Sequence, residues 1–140
     1  MSAPIDWNAL YDKAVGIRDN AYAPYSQFPV GAAGLTDDGR IVTGCNVENV
    51  SYGVGLCAEC AVVCALHADG GGRLRALMCV DAAGGVLMPC GRCRQLLLEH
   101  GGPDLLIAHP AGPNRLADLR PDAFGPDDLA RVRLELGEKP

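Results

Sequence analysis

An α/β domain, built as one sheet with helices on its faces, is the fold class this sequence predicts. Two observations carry it. Helix-period and strand-type segments alternate in the order helix, hairpin, helix, strand, helix, strand, helix, which lays helices against a common sheet. The length of 140 residues, with 49% hydrophobic and 21% charged content, makes one globular domain over 1–140 and argues against wholesale disorder. Aromatic residues are only 5% of the chain, so the core must come from Ala, Val, Leu and Ile. No internal repeat and no linker breaks the pattern.

The first helix starts at Trp7 behind Asp6 as N-cap, with Leu10, Ala14, Ile17 and Ala21 at helical spacing. Tyr22 to Pro29 holds two prolines and reads as a loop. Val30 to Leu35 and Arg40 to Cys45 are strands joined by the turn Thr36-Asp37-Asp38-Gly39. The polar stretch from Asn46 to Leu56, with Gly53 and Gly55, is a loop. Ala58 to His67 is helical and is stopped by Gly70-Gly71-Gly72. Leu74 to Val80 is a buried strand, Gly84-Gly85 a turn, and Gly91 to His100 a helix stopped by Gly101-Gly102-Pro103. Leu105 to Ala108 is a further strand, and a last helix runs from about Pro126 to Leu134.

Twelve Lys and Arg against seventeen Asp and Glu give a net charge of -5. A protein that grips a polyanion carries a basic footprint, so nucleic acid is not the expected partner and a small ligand is. The longest apolar run, Ala61 to Leu66, is far short of the roughly 18 residues of a membrane span. The N-terminal MSAPIDWN has neither a basic nor an apolar signal region, so a cytoplasmic address is expected. Seven cysteines in that compartment read as metal ligands, catalytic groups or buried thiols.

Three of the seven are placed for chemistry. Cys57 precedes one predicted helix, and Cys90 and Cys93 bracket the start of another as C-G-R-C. The dipole and free N–H groups of a helix N-terminus stabilise the thiolate, which is the form that binds zinc. Two such termini converging would hold three sulfurs around a tetrahedral ion and leave a fourth position for water. Glu59, two residues past Cys57, could then exchange protons with that water. Cys60 supplies an alternative: C-A-E-C followed by C-G-R-C is also the spacing of a closed, four-thiolate structural zinc site, and cysteine spacing leaves the two open. Cys45, Cys64 and Cys79 lie in apolar stretches and read as small buried hydrophobes, while His67, His100 and His109 lack partner spacing.

The flanking residues narrow this further. A-Y-A-P-Y-S-x-F-x-V-G-A-A at 21–33, G-C-N-V-E-N-x-x-Y at 44–52, C-A-E at 57–59, P-C-G-R-C-R-Q at 89–95 and L-R-P-D-A-F at 119–124 occur in order. The sequence resembles the short, homotetrameric cytidine deaminases, most of all their actinobacterial members, over about residues 6–128. The resemblance implies a mixed five-stranded sheet sandwiched between helices. It implies zinc-dependent hydrolysis of cytidine or deoxycytidine to uridine or deoxyuridine and ammonia, a pyrimidine-salvage reaction. Cys57, Cys90 and Cys93 match the ligands of one zinc ion per chain, and Glu59 matches the proton shuttle. Asn46 and Glu48 match residues that bind the ribose hydroxyls, Phe28 an aromatic beside the pyrimidine, and Ala58 a further substrate contact. Tyr52 and Phe124 match positions that reach a neighbouring subunit's active site, so the segment from about 119 to 140 is expected to extend to another copy.

At one position the chain departs from that pattern. Many members carry arginine directly after the catalytic glutamate, where it offsets the sulfur charge, and this chain has Cys60. Three thiolates leave a divalent zinc site net negative, which opposes ionisation of its water, so positive potential must come from elsewhere. The helix N-termini at Cys57 and Cys90 supply part, and Arg94 is expected to supply the rest. Two other functions compete with this reading: a deaminase of a blasticidin-type aminonucleoside, and a non-catalytic binding module stapled by four cysteines.

Overall fold

The computed structural model describes residues 2–138 of the chain. Helix α1 spans Trp7–Arg18, and Asp6 caps it by accepting a 3.0 Å hydrogen bond from the Ala9 N–H. The hairpin β1 (Gly31–Thr36) and β2 (Ile41–Cys45) follows, then a short 3₁₀ turn at Tyr52–Val54 and helix α2 (Ala58–Ala68). Strand β3 (Leu74–Val80) leads to helix α3 (Gly91–Gly101), strand β4 (Leu106–Ile107), strand β5 (Asn114–Arg115), helix α4 (Leu116–Leu119) and helix α5 (Pro126–Glu135). The strands form one five-stranded sheet in the order β2-β1-β3-β4-β5. It is mixed: β3 and β4 run parallel and the other pairs antiparallel.

Both faces of the sheet are covered. Leu10 and Ala14 of α1 pack on Ala33, Ala76, Met78 and Val80. On the opposite face, Val62 and Leu66 of α2 and Leu97 of α3 pack on Ala32, Leu77 and Cys79. Residues 76 to 80 of β3 therefore alternate strictly between the two cores, as a strand with both faces buried must. Leu74 falls out of that alternation because the register with β1 shifts between Leu35 and Thr36.

Two glycines set the helices on the sheet. A Cβ on Gly31 would come 2.0 Å from the Ala14 carbonyl oxygen, so α1 lies directly on the β1 backbone. A Cβ on Gly44 would lie 2.6 Å from both the Ala58 carbonyl oxygen and the Val62 nitrogen, so the first turn of α2 rests on β2. The second contact fixes the helix end that carries Cys57.

The predicted elements are present with three differences. Helix α1 ends at Arg18, capped at Asp19, so Ala21 lies beyond it. The residue pattern gave four strands, and the fifth, β5, is a two-residue strand paired with β4 by register Leu106↔Arg115 and Ile107↔Asn114. Helix α4 was also absent from the pattern; its four residues are too few to show a period. Residues 1, 139 and 140 of the predicted domain lie outside the described residues.

Candidate active site and metal centre

Cys57 is the N-cap of α2 and Cys90 the N-cap of α3, while Cys93 lies in the first turn of α3. Their three sulfurs lie within 4.8 Å of one another, and Cys57 Sγ is 3.8 Å from Cys90 Sγ. Cys60 is not part of this cluster. Burial pushes the Cys57 and Cys93 thiols up. At Cys90 the same upward effect is outweighed by the backbone N–H and side chain of Cys93 and by Cys57, so its thiol is lowered. Three soft donors crowded at two positive helix ends suit a thiophilic cation such as zinc.

Glu59 lies in the first turn of α2 and is only 4% exposed. Its two oxygens face different neighbours. Oε1 accepts from the Cys79 thiol at 3.1 Å, and Oε2 accepts from the Cys93 thiol at 3.3 Å. A carboxylate in a nearly dry wall, one oxygen turned to a sulfur of the cluster, is placed where it could exchange protons with a ligand of a metal held there.

A cleft of about 450 Å³ opens next to the cluster, lined among others by Tyr25, Asn46, Glu48, Tyr52, Cys57 and Arg92. Glu48 accepts from the Tyr25 and Ser26 N–H groups at 3.0 and 3.1 Å, and from the Ser26 hydroxyl. Hydrogen bonds from the Ser26 side chain, the Ser26 backbone and the Tyr25 backbone hold its carboxyl below the ordinary value of 4.5. The Asn46 amide closes the same loop: Oδ1 accepts from the Val30 N–H at 2.8 Å and Nδ2 donates to the Phe28 carbonyl at 2.9 Å. The Tyr25 and Tyr52 rings, with centroids 5.9 Å apart, form one wall.

Residues 6–109 match the family described as the cytidine and deoxycytidylate deaminase zinc-binding region. The chain belongs to the cytidine deaminase family. It is 70% identical over 129 residues to a cytidine deaminase of Mycobacterium tuberculosis, which covers 92% of this chain and 97% of that protein. It is 37% identical over 131 residues to one of Sporosarcina psychrophila, covering 90% and 96% respectively. Its structure matches the crystal structure of cytidine deaminase from Mycobacterium tuberculosis with a TM-score of 0.86, over 87% of this chain and 99% of that one. The corresponding structure from Mycobacterium leprae, at 59% identity, gives 0.84 over 85% and 100%.

Against the residues that the cytidine deaminase resemblance singled out, the structure brings together Cys57, Cys90, Cys93 and Glu59, with Asn46, Glu48 and Tyr52 along the adjoining cleft. The Ala58 side chain is packed in the core and the residue is absent from the cleft lining; its N–H, at the first position of α2, has no partner within the helix. Phe28 is 48% exposed and is not core filler; it stands next to Asn46 through the Nδ2 contact. Phe124 is 59% exposed and outside the cleft lining, its carbonyl accepting from Gln95 Nε2 at 3.0 Å.

Arg94 requires a correction. Its guanidinium donates to the Pro89 and Leu119 carbonyls at 2.8 and 2.9 Å, and so ties α3 to the end of α4 instead of facing the sulfurs. The arginine at the cluster is Arg92. Its guanidinium donates to the Gly55 carbonyl at 2.9 Å, lies 3.9 Å from Cys60 Sγ and lines the cleft with Cys57. The neighbouring Cys60 and then Cys57 sulfurs raise its pKa. Sequence reasoning passed over Arg92 although it stands inside C-G-R-C. It also missed Ser26 and Tyr25, whose only signal was their place in the P-Y-S-x-F run.

Proposed function

We propose that the protein hydrolyses cytidine and deoxycytidine to uridine and deoxyuridine with release of ammonia, using one zinc ion per chain. The observation that carries this reading is the convergence of the Cys57, Cys90 and Cys93 sulfurs beside the buried Glu59 carboxylate, at the edge of a cleft that holds Asn46 and Glu48. The donor set fits zinc, because three sulfurs without Cys60 leave a tetrahedral ion one position for a lighter ligand. When bound, zinc supplies the Lewis acidity that makes a water molecule nucleophilic at neutral pH. Glu59 accepts the proton that this water loses and gives it to the pyrimidine ring nitrogen. It then takes the remaining proton of that oxygen, now bonded to the ring carbon, and passes it to the departing amino group, so that the oxygen stays as the carbonyl and ammonia leaves.

The cleft residues retain the capacity this substrate needs. A carboxylate offers about four lone-pair positions, and three on Glu48 are taken by Tyr25 and Ser26, which leaves room for a ribose hydroxyl to donate. Asn46 keeps one Nδ2 hydrogen for a ribose oxygen. Phe28 flanks the pyrimidine, and the Ala58 N–H faces its carbonyl. Arg92, in place of Arg94, offsets the sulfur charge that an arginine at position 60 offsets elsewhere in the family.

The protein acts as a homotetramer in which Tyr52 and Phe124 reach a neighbouring site. Val50, Tyr52, Val54 and Leu56 are all more than half exposed around the cleft, an apolar surface of the kind that subunits cover. The substrate is a free nucleoside in the cytoplasm and not a nucleic acid, in keeping with the net charge of -5. Among the described residues no helix is long and apolar enough to cross a membrane. Ultraviolet absorbance of cytidine incubated with the zinc-loaded protein tests the assignment: it falls as uridine forms, and a chelator stops the fall. Constant absorbance would contradict it, and turnover of a blasticidin-type aminonucleoside alone would move the substrate.

A further inference from the structure

Cys79 is a buried thiol that the reaction as described does not use. It is 1% exposed, on the face of β3 that looks toward α2 and α3. Its backbone is fixed from two sides, by the register Ala32↔Cys79 with β1 and by the Leu87 N–H donating to its carbonyl at 2.9 Å. Its side chain therefore projects from a backbone position held on two sides. The acceptor in reach is Glu59 Oε1, at 3.1 Å across the interface between sheet and helix. Burial, with the nearby Glu59 charge adding to it, raises the Cys79 thiol well above its ordinary value, so the sulfur keeps its hydrogen and acts as a donor.

We infer that Cys79 is the positioning residue of the proton shuttle: its S–H holds Glu59 Oε1 against the sheet and leaves Oε2 as the oxygen that carries the proton. Two observations support the division. The Oε2 atom is the one turned to the cluster, 3.3 Å from Cys93 Sγ. Cys79 belongs to the apolar cluster that also holds Ala32, Leu77 and Val62, and among the described residues its thiol is the donor bonded to Oε1, so without it that oxygen loses its partner in a buried wall. A thiol is a weak donor, and it orients the oxygen without clamping the carboxylate as a guanidinium would.

This inference rests on Glu59 being the shuttle, and the experiment separates the two. Cys79→Val fills the space without a donor, and Cys79→Ser restores one. The Val variant is expected to lose roughly tenfold to a hundredfold in kcat at unchanged KM, since a misplaced group costs rate and not ground-state binding. The Ser variant is expected to recover most of that loss. In the infrared spectrum of the parent, the band removed by Cys79→Ala is expected at the frequency of a hydrogen-bonded S–H, and it moves to that of a free thiol in Glu59→Ala. A free-thiol band in the parent would overturn the proposal, and assigning that band needs the small Cys79→Ala change to fold but not Cys79→Val. So would a Val variant with parental kcat, or Val and Ser variants equally impaired and equally destabilised. A Glu59→Gln variant that retained turnover would remove the shuttle reading itself. An inactive Glu59→Gln beside a fully active Cys79→Val would remove only the role of the thiol.

Discussion

Glu59→Gln keeps the shape of the side chain and both of its helix and sheet neighbours but cannot take up and release a proton at neutral pH. The variant should fold and retain zinc while losing at least about a hundredfold in turnover, measured on cytidine at saturating concentration. Near-parental turnover would take Glu59 out of the mechanism. Cys60 and the two arginines give a second residue-level test, because the structure puts Arg92 where the sequence reading expected Arg94. Cys60 lies outside the sulfur cluster, so Cys60→Ser should retain one zinc per chain through a chelator challenge. Arg92→Ala removes the guanidinium next to Cys60 and should speed zinc loss to the chelator. Arg94→Ala frees the Pro89 and Leu119 carbonyls and should instead cost roughly 1–3 kcal/mol of stability in denaturant unfolding. Faster zinc loss in Arg94→Ala than in Arg92→Ala would reverse that division. The two arginines were not separable by spacing, because both lie in the first turns of one helix and the direction of a long side chain depends on what surrounds it.

At the scale of elements, the loop from 25 to 28 is built on one carboxylate. Its Glu48 anchor is held below the ordinary value of 4.5 by Ser26 and Tyr25, so it contributes fully above that value and is lost as pH falls through the lowered one. The amide resonances of Tyr25 and Ser26 should titrate together with a midpoint below 4.5, and Glu48→Gln should abolish the titration. A midpoint at or above 4.5 would contradict this anchoring. Elements with a period or a cap were legible in the sequence: α1 from Asp6, β3 from seven nearly apolar residues, and the ends of α2 and α3 from their glycine runs. The site was legible where cysteine sits at a helix start, since the N-cap position fixes where the sulfur lies. It was not legible where a contact joins distant segments. Nothing local to Cys79 distinguishes it from an ordinary core cysteine until β3 is laid against α2. The same holds for Arg94 and Gln95, whose contacts with Leu119 and Phe124 explain why P-C-G-R-C-R-Q and L-R-P-D-A-F belong together.

For the whole molecule, the exposed apolar segment from Val50 to Leu56 and the exposed Phe124 are the observations behind the proposed assembly. Light scattering should give the mass of a homotetramer, and Phe124→Ala should raise KM for cytidine while leaving the zinc content at one per chain. An active monomer, or an unchanged KM, would contradict the shared site. The sheet is what makes the chemistry possible at this scale: β2 receives the first turn of α2 at Gly44, β3 backs Glu59, and α3 brings Cys90 and Cys93 alongside. All of it serves the one arrangement proposed, three sulfurs around an ion with a position left for water. X-ray absorption at the zinc edge of the purified protein measures this most directly. The account predicts three sulfurs at about 2.3 Å and one oxygen or nitrogen ligand. Four sulfurs, with Cys60→Ser reducing the number to three, would contradict it and make the site a closed structural one.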